Sequence, residues 1–271
     1  MAARGRTETH LVTRVAVHGA DVTAARRPDE LVVEEPLTIQ LDGVTVSTTM
    51  RTPGHDYELA VGFCHGDGLL AGAPVRSVRY CANGAASDSE WNVVTVDTGG
   101  TAPTPRPRLG NTTSSCGLCG NDAIDELCAR LQPFAVDAPK PSVATMVAVA
   151  HSVLSGQGLF QATGAVHAAA AFDADGTVLL TREDVGRHNA VDKVVGRLLL
   201  DGRLPAHGLG LFVSGRASFE MVQKAWAGGF AALVAVSAPT ALAMHTARRA
   251  NLLLAGFVRG DQCNVYSPER L

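Results

Sequence analysis

The sequence lacks long apolar stretches, basic blocks and an apolar leader, and each absence excludes a class of protein. No apolar run reaches the roughly 18 residues that suggest a membrane-spanning helix, so we expect no membrane partner. The net charge is −3 and no basic block or Arg-rich helix occurs, so we expect no nucleic-acid partner. Residues 1–10 are polar and lack the core of a signal peptide, which predicts a cytoplasmic protein.

Cysteine is also scarce, with six residues at irregular positions in a chain of 271. This spacing does not resemble the disulfide framework of a small secreted domain. We expect burial as small apolar side chains for Cys64, Cys81, Cys128 and Cys263. The other two, Cys116 and Cys119, form a Cys-x-x-Cys pair flanked by glycines, and this pair is the strongest chemical signal in the sequence.

The surroundings of this pair predict two thiols at the tip of a flexible arm. Residues 99–113 are rich in proline, glycine and threonine, which is typical of a mobile loop. A helix over 123–131 is predicted to follow, with Asn121 or Asp122 as its N-cap. A helix N-terminus favours the thiolate but nearby acidic residues oppose it, so the direction of the thiol pKa shift stays open.

Three uses of the thiol pair are compatible with its spacing. A structural zinc site needs a second ligand pair, and a deaminase-type zinc site needs His-x-Glu with Pro-Cys-x-x-Cys; the sequence has neither. A thioredoxin-like disulfide pair directly follows a strand, whereas this pair follows the proline-rich segment. A persulfide held on one thiolate, with the second thiol assisting its release, fits best, and we predict no metal.

The rest of the sequence divides into a strand-rich first half and an α/β second half. Residues 1–8 are predicted to be disordered, and Pro36 marks an edge or bulge position because it has no N–H. Asp42-Gly43 is a hairpin turn signal. The expected strands cover 10–17, 31–41, 44–48, 75–81 and 91–97, and the expected helix covers 57–70. We predict three segments: a strand-rich N-terminal region (1–98), a mobile loop with the thiol pair (99–120) and an α/β domain (121–271).

In the second half, strands alternate with helices, which predicts a mostly parallel sheet with helices on its faces. The expected helices cover 142–155, 188–200, 219–227 and 240–251, and the expected strands cover 165–172, 178–181, 209–213, 233–236 and 252–258. Ligands of such sheets bind at the carboxyl ends of the strands.

Hydroxyl groups and arginines follow several of these strands and suit phosphate groups. Ser214, Gly215 and Arg216 follow one strand, and Arg187 and His188 follow another. Taken singly, the serines are better explained as helix N-caps, and His167 or His188 as hydrogen-bonded structural residues. Taken together with Arg187, Arg216 and Arg259, ligand binding explains them equally well.

Longer blocks of sequence resemble one known family. They are EEPLTI (34–39), CGLCG (116–120), TGAVHAA (163–169), EDVGRHNAVDK (183–193), SGR (214–216), SAPT (237–240) and GFVR (256–259). In this order, and over nearly the whole chain, they resemble the formate dehydrogenase accessory sulfurtransferase (FdhD) family. Ala165 departs from the family, which more often has a second glycine there.

The resemblance implies a sulfurtransferase that accepts persulfide sulfur from a cysteine desulfurase. It passes that sulfur to the molybdenum or tungsten bis(molybdopterin guanine dinucleotide) cofactor for maturation of formate dehydrogenase. Cys116 is then the persulfide carrier, with Cys119 beside it. The resemblance also implies a deaminase-like α/β fold, a homodimer and a cofactor-binding segment made of Phe257, Val258, Arg259, Gly260, Asp261 and Gln262.

With this segment, the strand ends that carry Ser214, Gly215, Arg216 and His188 would receive the guanine and pyrophosphate groups of the cofactor. Two alternatives remain. One is a non-catalytic chaperone that binds a guanine-nucleotide cofactor and has structural thiols. The other is a zinc-dependent hydrolase of deaminase ancestry.

Overall fold

The computed structural model describes residues 5–81, 91–105 and 120–271. The described chain starts with a hairpin of two 12-residue strands, β1 (Thr7–His18) and β2 (Asp21–Val32), which pair antiparallel without a bulge. The predicted strand over 10–17 is therefore confirmed but too short, and residues 7 and 8 are not disordered. The strand β2 was not predicted, because its Arg-Arg-Pro sequence lacks apolar alternation.

A second sheet contains β3 (Glu35–Leu41), β4 (Val44–Arg51), β5 (Ser77–Tyr80) and β6 (Val93–Asp97), in the order β4-β3-β6-β5. The predicted hairpin turn is confirmed, since Asp42 and Gly43 have φ of 47° and 84°, both positive as a type I′ turn requires. Pro36 precedes Thr38, where β3 starts to pair with β6, so its missing N–H leaves that ladder intact.

The largest sheet has six strands in the order β12-β11-β10-β9-β7-β8. Its strands are β7 (His167–Phe172), β8 (Val178–Asp184), β9 (Gly210–Val213), β10 (Ala232–Ala235), β11 (Leu253–Arg259) and β12 (Gln262–Val265). The expectation of a mostly parallel sheet is wrong, because only the β9–β10 and β10–β11 pairs are parallel. The turns before β8 and β12 are too short for the crossover connection that a parallel pair needs. Even so, β8, β9, β10 and β11 point the same way.

Helices cover both faces of this sheet. They are α2 (Gly120–Arg130), α3 (Val143–Ser155), α4 (Gly158–Thr163), α5 (Arg187–Leu200), α6 (Phe219–Ala227) and α7 (Ala241–Arg249), and a 3₁₀ helix spans Pro268–Arg270. Strand residues alternate between the faces: Phe212 packs in the core on the α3 side, whereas Leu211 packs in the core on the α5 side. The α/β class is confirmed. The sequence predictions missed α4 and β12.

The helix α1 (Asp56–Gly66) joins the N-terminal sheet to α5, and it ends four residues earlier than predicted. A Cβ on Gly62 would lie 1.8 Å from the backbone oxygen of Asp192, and one on Gly196 would lie 1.8 Å from the backbone oxygen of Glu58. Any side chain at either position would therefore separate the helices. The two glycines let the backbones of α1 and α5 touch.

An ion pair ties α1 to the largest sheet beside this crossing. Arg182 Nε and Nη2 lie 2.6 and 2.9 Å from the two carboxylate oxygens of Glu58. Burial opposes ionisation of Glu58, but hydrogen bonds from Arg182 and His55 outweigh it and lower its pKa to about 2. A depressed carboxylate pKa stabilises the fold at high pH and loses that stabilisation as the pH falls.

We predict that Glu58→Gln flattens the pH dependence of stability at low pH. In the wild type, the contribution of Glu58 should be complete above about pH 4.5 and disappear as the pH falls towards 2. Urea denaturation at a series of pH values from neutral downwards measures this. Equal slopes for the two proteins between these pH values would contradict the prediction.

No helix in the described part of the chain has the length and apolar character to cross a membrane.

The predicted burial of the cysteines is confirmed for Cys64. Burial raises the pKa of its thiol to about 12. Cys81, Cys128 and Cys263 are only partly buried, so that expectation is wrong for them.

Candidate functional site

The loops that follow β8, β9, β10 and β11 lie side by side at one edge of the largest sheet, and we call this edge the carboxyl rim. Backbone hydrogen bonds join neighbouring loops: Ser214 donates to Ala168, Ser237 donates to Gly215, and Phe257 donates to Ser237, at 2.9, 3.3 and 3.2 Å. The structure therefore brings the predicted Ser214-Gly215-Arg216 and Phe257 segments to the same edge.

Most residues of the EDVGRHNAVDK block (183–193) are buried or partly buried beneath the carboxyl rim and support it through hydrogen bonds. The carboxylate of Asp184 is fully buried and accepts hydrogen bonds from Lys193 Nζ at 2.6 Å and Asn189 Nδ2 at 2.9 Å. The backbone amides of Gly186 and Thr52 donate to the same carboxylate, at 2.8 and 3.2 Å. Asp184 thereby fastens the start of α5 to the end of β4.

Two further acids of the block are also structural. Glu183 accepts hydrogen bonds from the backbone amides of Leu159 and Phe160, at 3.1 and 2.9 Å, which holds the first turn of α4. Asp192 is buried, and its Oδ1 lies 2.6 Å from Lys224 Nζ. Burial raises the pKa of Asp192 to about 6, against the opposing charge of Lys224.

Arg187 and His188 are the two members of the block with unused hydrogen-bonding capacity. Arg187 Nε and His188 Nε2 are buried, and neither atom has a hydrogen-bond partner among the described residues. Gly215 lies beside them: a Cβ there would be 3.4 Å from His167 Nδ1 and 4.0 Å from Arg187 Cδ. An unsatisfied buried donor costs about 1–3 kcal/mol, so a ligand that accepts a hydrogen bond from Arg187 Nε would be favoured here.

Glu220 contributes a carboxylate to the same cluster and was not predicted from the sequence. Its Oε2 lies 3.7 Å from His188 Nε2, too long for a hydrogen bond, and accepts one from Ser218 Oγ at 2.7 Å. The contact with His188, together with Ser218 and against burial, lowers the pKa of Glu220 to about 2. The Ser-x-Glu spacing at the start of α6 was a usable signal, since it places the two side chains together.

Of the rim residues Ser214, Ser218 and Thr240, only Thr240 caps a helix with its side chain. Thr240 Oγ1 accepts a hydrogen bond from the amide of Ala243 and caps α7. Ser218 precedes α6 without a side-chain capping bond, because its hydroxyl group binds Glu220 instead. Ser214 Oγ accepts from the amide of Ala168 at 2.9 Å and joins β9 to β7.

The predicted cofactor-binding segment, residues 257–262, spans the end of β11 and a tight turn. Phe257 has a φ of 52° at a break in the β11–β12 register, and its ring is 40% exposed. A positive φ is rare for a bulky residue, so the backbone at Phe257 is strained. The side chain of Val258 is fully buried, so only its backbone is available to a ligand.

The rest of this segment is exposed, and part of it faces away from the centre of the rim. Gly260 and Asp261 line an open groove of 810 Å³ against α3, where His151 Nε2 lies 2.8 Å from the carbonyl oxygen of Gly260. Arg259 Nε donates to the carbonyl oxygen of Val236 at 3.4 Å, and Gln262 begins β12. The predicted binding residues thus form two groups at one edge, near His188 and near α3.

The predicted catalytic residues, Cys116 and Cys119, lie outside the described residues. The helix after them is confirmed as α2, and its Ile124 and Leu127 are buried in the core on the α5 side. Their roles remain predictions from the sequence.

The fold and the rim define a class: an α/β protein in which arginine, histidine and backbone groups lie together at the strand ends. Comparison with known proteins identifies the family. Residues 32–271 match the model of the FdhD/NarQ family, and the chain belongs to this family.

Individual relatives agree with this assignment. The sulfur carrier protein FdhD of Mycolicibacterium paratuberculosis is 46% identical, and the match covers 90% of this chain and 92% of the relative. The protein of the same name from Corynebacterium efficiens is 42% identical, and the match covers 98% of this chain and 99% of the relative. A crystal structure of a putative formate dehydrogenase accessory protein from Desulfotalea psychrophila shares the fold, with a TM-score of 0.72, 22% identity and coverage of 98% and 100%.

Proposed function

We propose that this protein is a sulfur carrier that serves the maturation of formate dehydrogenase, with Cys116 as the carrier thiol. The sulfur-carrier role is supported by membership of a family whose relatives are named sulfur carriers. The single structural observation that supports an anionic acceptor is Arg187 Nε, which is buried at the carboxyl rim without a hydrogen-bond partner among the described residues.

The proposed transfer balances with thiols alone. The Cys116 thiolate attacks the terminal sulfur of a persulfide on a cysteine desulfurase; a new S–S bond forms and the desulfurase thiolate leaves. The Cys119 thiolate then attacks the inner sulfur of the Cys116 persulfide. A Cys116–Cys119 disulfide forms, and the outer sulfur of the persulfide leaves as hydrosulfide. That sulfur gains two electrons, which the two cysteine thiolates supply as they are oxidised to the disulfide. Cellular thiols then reduce the disulfide.

The acceptor in this proposal is the bis(molybdopterin guanine dinucleotide) cofactor of molybdenum or tungsten, bound as cargo at the rim. The rim residues fit its organic part chemically. Arg187, Arg216 and Arg259 are suited to pyrophosphate, and the exposed ring of Phe257 is suited to stacking on guanine. The Asp261 carboxylate is an acceptor for the N–H groups of guanine. The further partners are then a cysteine desulfurase and formate dehydrogenase.

Sulfur loading tests the carrier role. The protein is incubated with an active cysteine desulfurase and cysteine, and its peptides are analysed by mass spectrometry with and without a reductant. We expect a reducible added sulfur on the peptide that contains Cys116. Cys116→Ala should reduce loading at least about a hundredfold, as loss of a nucleophile does. Cys128→Ala, which removes a partly buried thiol of α2, is the control and should load normally.

Two results would count against the carrier role. One is the absence of label between residues 109 and 130 while the desulfurase binds and turns over. The other is full maturation of formate dehydrogenase by Cys116→Ala, which would favour the cofactor chaperone with structural thiols.

A further inference from the structure

The basic side chains at and beneath the carboxyl rim differ in whether the fold gives them a carboxylate. Lys193 Nζ lies 2.6 Å from Asp184, and His188 Nε2 lies 3.7 Å from Glu220. His167, which begins β7, is partly buried, and in the described part of the chain no carboxylate forms an ion pair with it. His167 is therefore a basic side chain without a counter-ion from the described residues.

His167 lies beside the unpartnered donor of the rim. Gly215 has no side chain, and a Cβ there would be 3.4 Å from His167 Nδ1 and 4.0 Å from Arg187 Cδ. The imidazole and the guanidinium group thus flank one glycine. Arg187 Nε is buried without a hydrogen-bond partner among the described residues. An anion that accepts a hydrogen bond from Arg187 Nε would therefore lie close to His167.

The surroundings of His167 disfavour a charge on its ring in the free protein. Burial lowers the pKa of His167 below the ordinary value of 6.5, and the positive charges of Arg187 and His188 lower it further. The Asp184 carboxylate acts in the opposite direction, but Lys193 balances its charge. Because a bound anion would supply negative charge at this point, the pKa of His167 should rise when the rim is occupied.

The other charged groups on the neighbouring elements do not offset this positive field. Glu183 of β8 accepts hydrogen bonds from two backbone amides of α4. Glu220 of α6 accepts one from Ser218 and faces His188. Arg216, in the loop after β9, is exposed and adds positive charge at the same edge. A negative group on a ligand would balance this field.

We propose that His167 takes up a proton from solvent when a phosphate or pyrophosphate group binds beside Arg187, and then donates a hydrogen bond to that group. Binding thus creates a cationic contact that the free protein does not hold. This inference rests on the proposed binding of the cofactor at the rim, and it adds a dependence of that binding on pH.

Affinity for the anion should increase as the pH falls. Between the pKa of His167 in the free protein and its higher pKa in the complex, the complex holds more protons than the free protein. Binding therefore strengthens as the pH falls through the pKa of the complex, and it levels off below the pKa of the free protein. We expect the affinity to be at least about tenfold higher at about pH 5 than at about pH 8.

Calorimetry with diguanosine pyrophosphate (GppG) tests this coupling. The probe carries guanine and pyrophosphate, and both of its phosphates are disubstituted, so they do not titrate near neutral pH. At pH 6.5, binding enthalpies in buffers of different ionisation enthalpy should show uptake of about half a proton or more per GppG by the wild type. His167→Gln should take up less than about a tenth of a proton, and its affinity should vary less than about twofold over the same pH range.

His207→Gln is the matched control for this experiment. His207 is exposed and precedes β9, so it lies at the opposite edge of the sheet from the carboxyl rim. This variant should take up the same fraction of a proton as the wild type and keep the same pH dependence of affinity. Proton uptake that persists in His167→Gln would overturn the inference, because another group would then be its source.

Nuclear magnetic resonance of the wild type gives a second measurement that does not depend on how well the variant binds. The Cε1–H resonance of His167 is assigned by its absence from the spectrum of His167→Gln. Its titration midpoint should lie below 6.5 in the free protein and above 6.5 in the GppG complex. An unchanged midpoint, or GppG binding without proton uptake, would overturn this inference alone. No binding of GppG by the wild type would overturn the proposed cargo site and this inference with it.

Discussion

Lys193→Met is expected to lower the free energy of unfolding by about 3–5 kcal/mol, the typical cost of removing one partner of a buried ion pair. Lys193 and Asp184 are both fully buried, and their Nζ and Oδ2 atoms are 2.6 Å apart. Burial lowers the pKa of Lys193, and the carboxylate of Asp184 opposes that shift. Without the ammonium group, Asp184 would keep a buried negative charge with neutral donors only.

The double variant Lys193→Met, Asp184→Asn separates loss of charge balance from loss of packing. A neutral amide oxygen at position 184 still accepts from Gly186 and Asn189, so the double variant should recover at least half of the lost stability. Urea denaturation monitored by circular dichroism measures all three proteins. A loss below about 1 kcal/mol in the single variant would contradict the importance of the pair.

Arg187→Met is expected to weaken binding of a guanine nucleotide about 10- to 150-fold, since a hydrogen bond to a charged group contributes about 1.5–3 kcal/mol. The reason is that Arg187 Nε is buried at the rim without a partner among the described residues. Isothermal titration calorimetry with GDP is the measurement, because GDP carries the guanine and pyrophosphate groups of the proposed cargo.

Arg197→Met is the control for this binding experiment. Arg197 belongs to the same helix, but its side chain is 48% exposed and lies 2.8 Å from Asp201. It should bind GDP with unchanged affinity. An equal loss in both variants would indicate a general effect of positive charge, and no loss in Arg187→Met would remove Arg187 from the binding site.

The sequence predicted those parts of the fold that depend on local chemistry. Asp42-Gly43 specified a type I′ hairpin, and apolar periodicity located α3, α5, α6 and α7 to within about two residues at each end. The direction of β7 was missed, because strand direction depends on long-range pairing, and β12 was not predicted at all. β2 was missed because an exposed strand needs no apolar side chains.

The sequence predicted where the candidate site lies, at the carboxyl ends of the strands, but not which side chains contact each other there. The rule that ligands meet carboxyl strand ends brought Ser214, Gly215 and His188 to one edge. Periodicity did not reveal that Asp184 and Lys193 would pair inside the protein, because their meeting depends on the turn between β8 and α5. It also gave no sign that Thr52, from the N-terminal sheet, would donate to the same carboxylate.

The glycine crossing of α1 and α5 limits where motion can occur. Helices separated by side chains can slide when those side chains change rotamer, but Gly62 and Gly196 leave no such layer between the backbones. The N-terminal sheet and the rim should therefore move as a single rigid unit. If sulfur travels from a donor to the rim, its displacement does not come from sliding of these two helices.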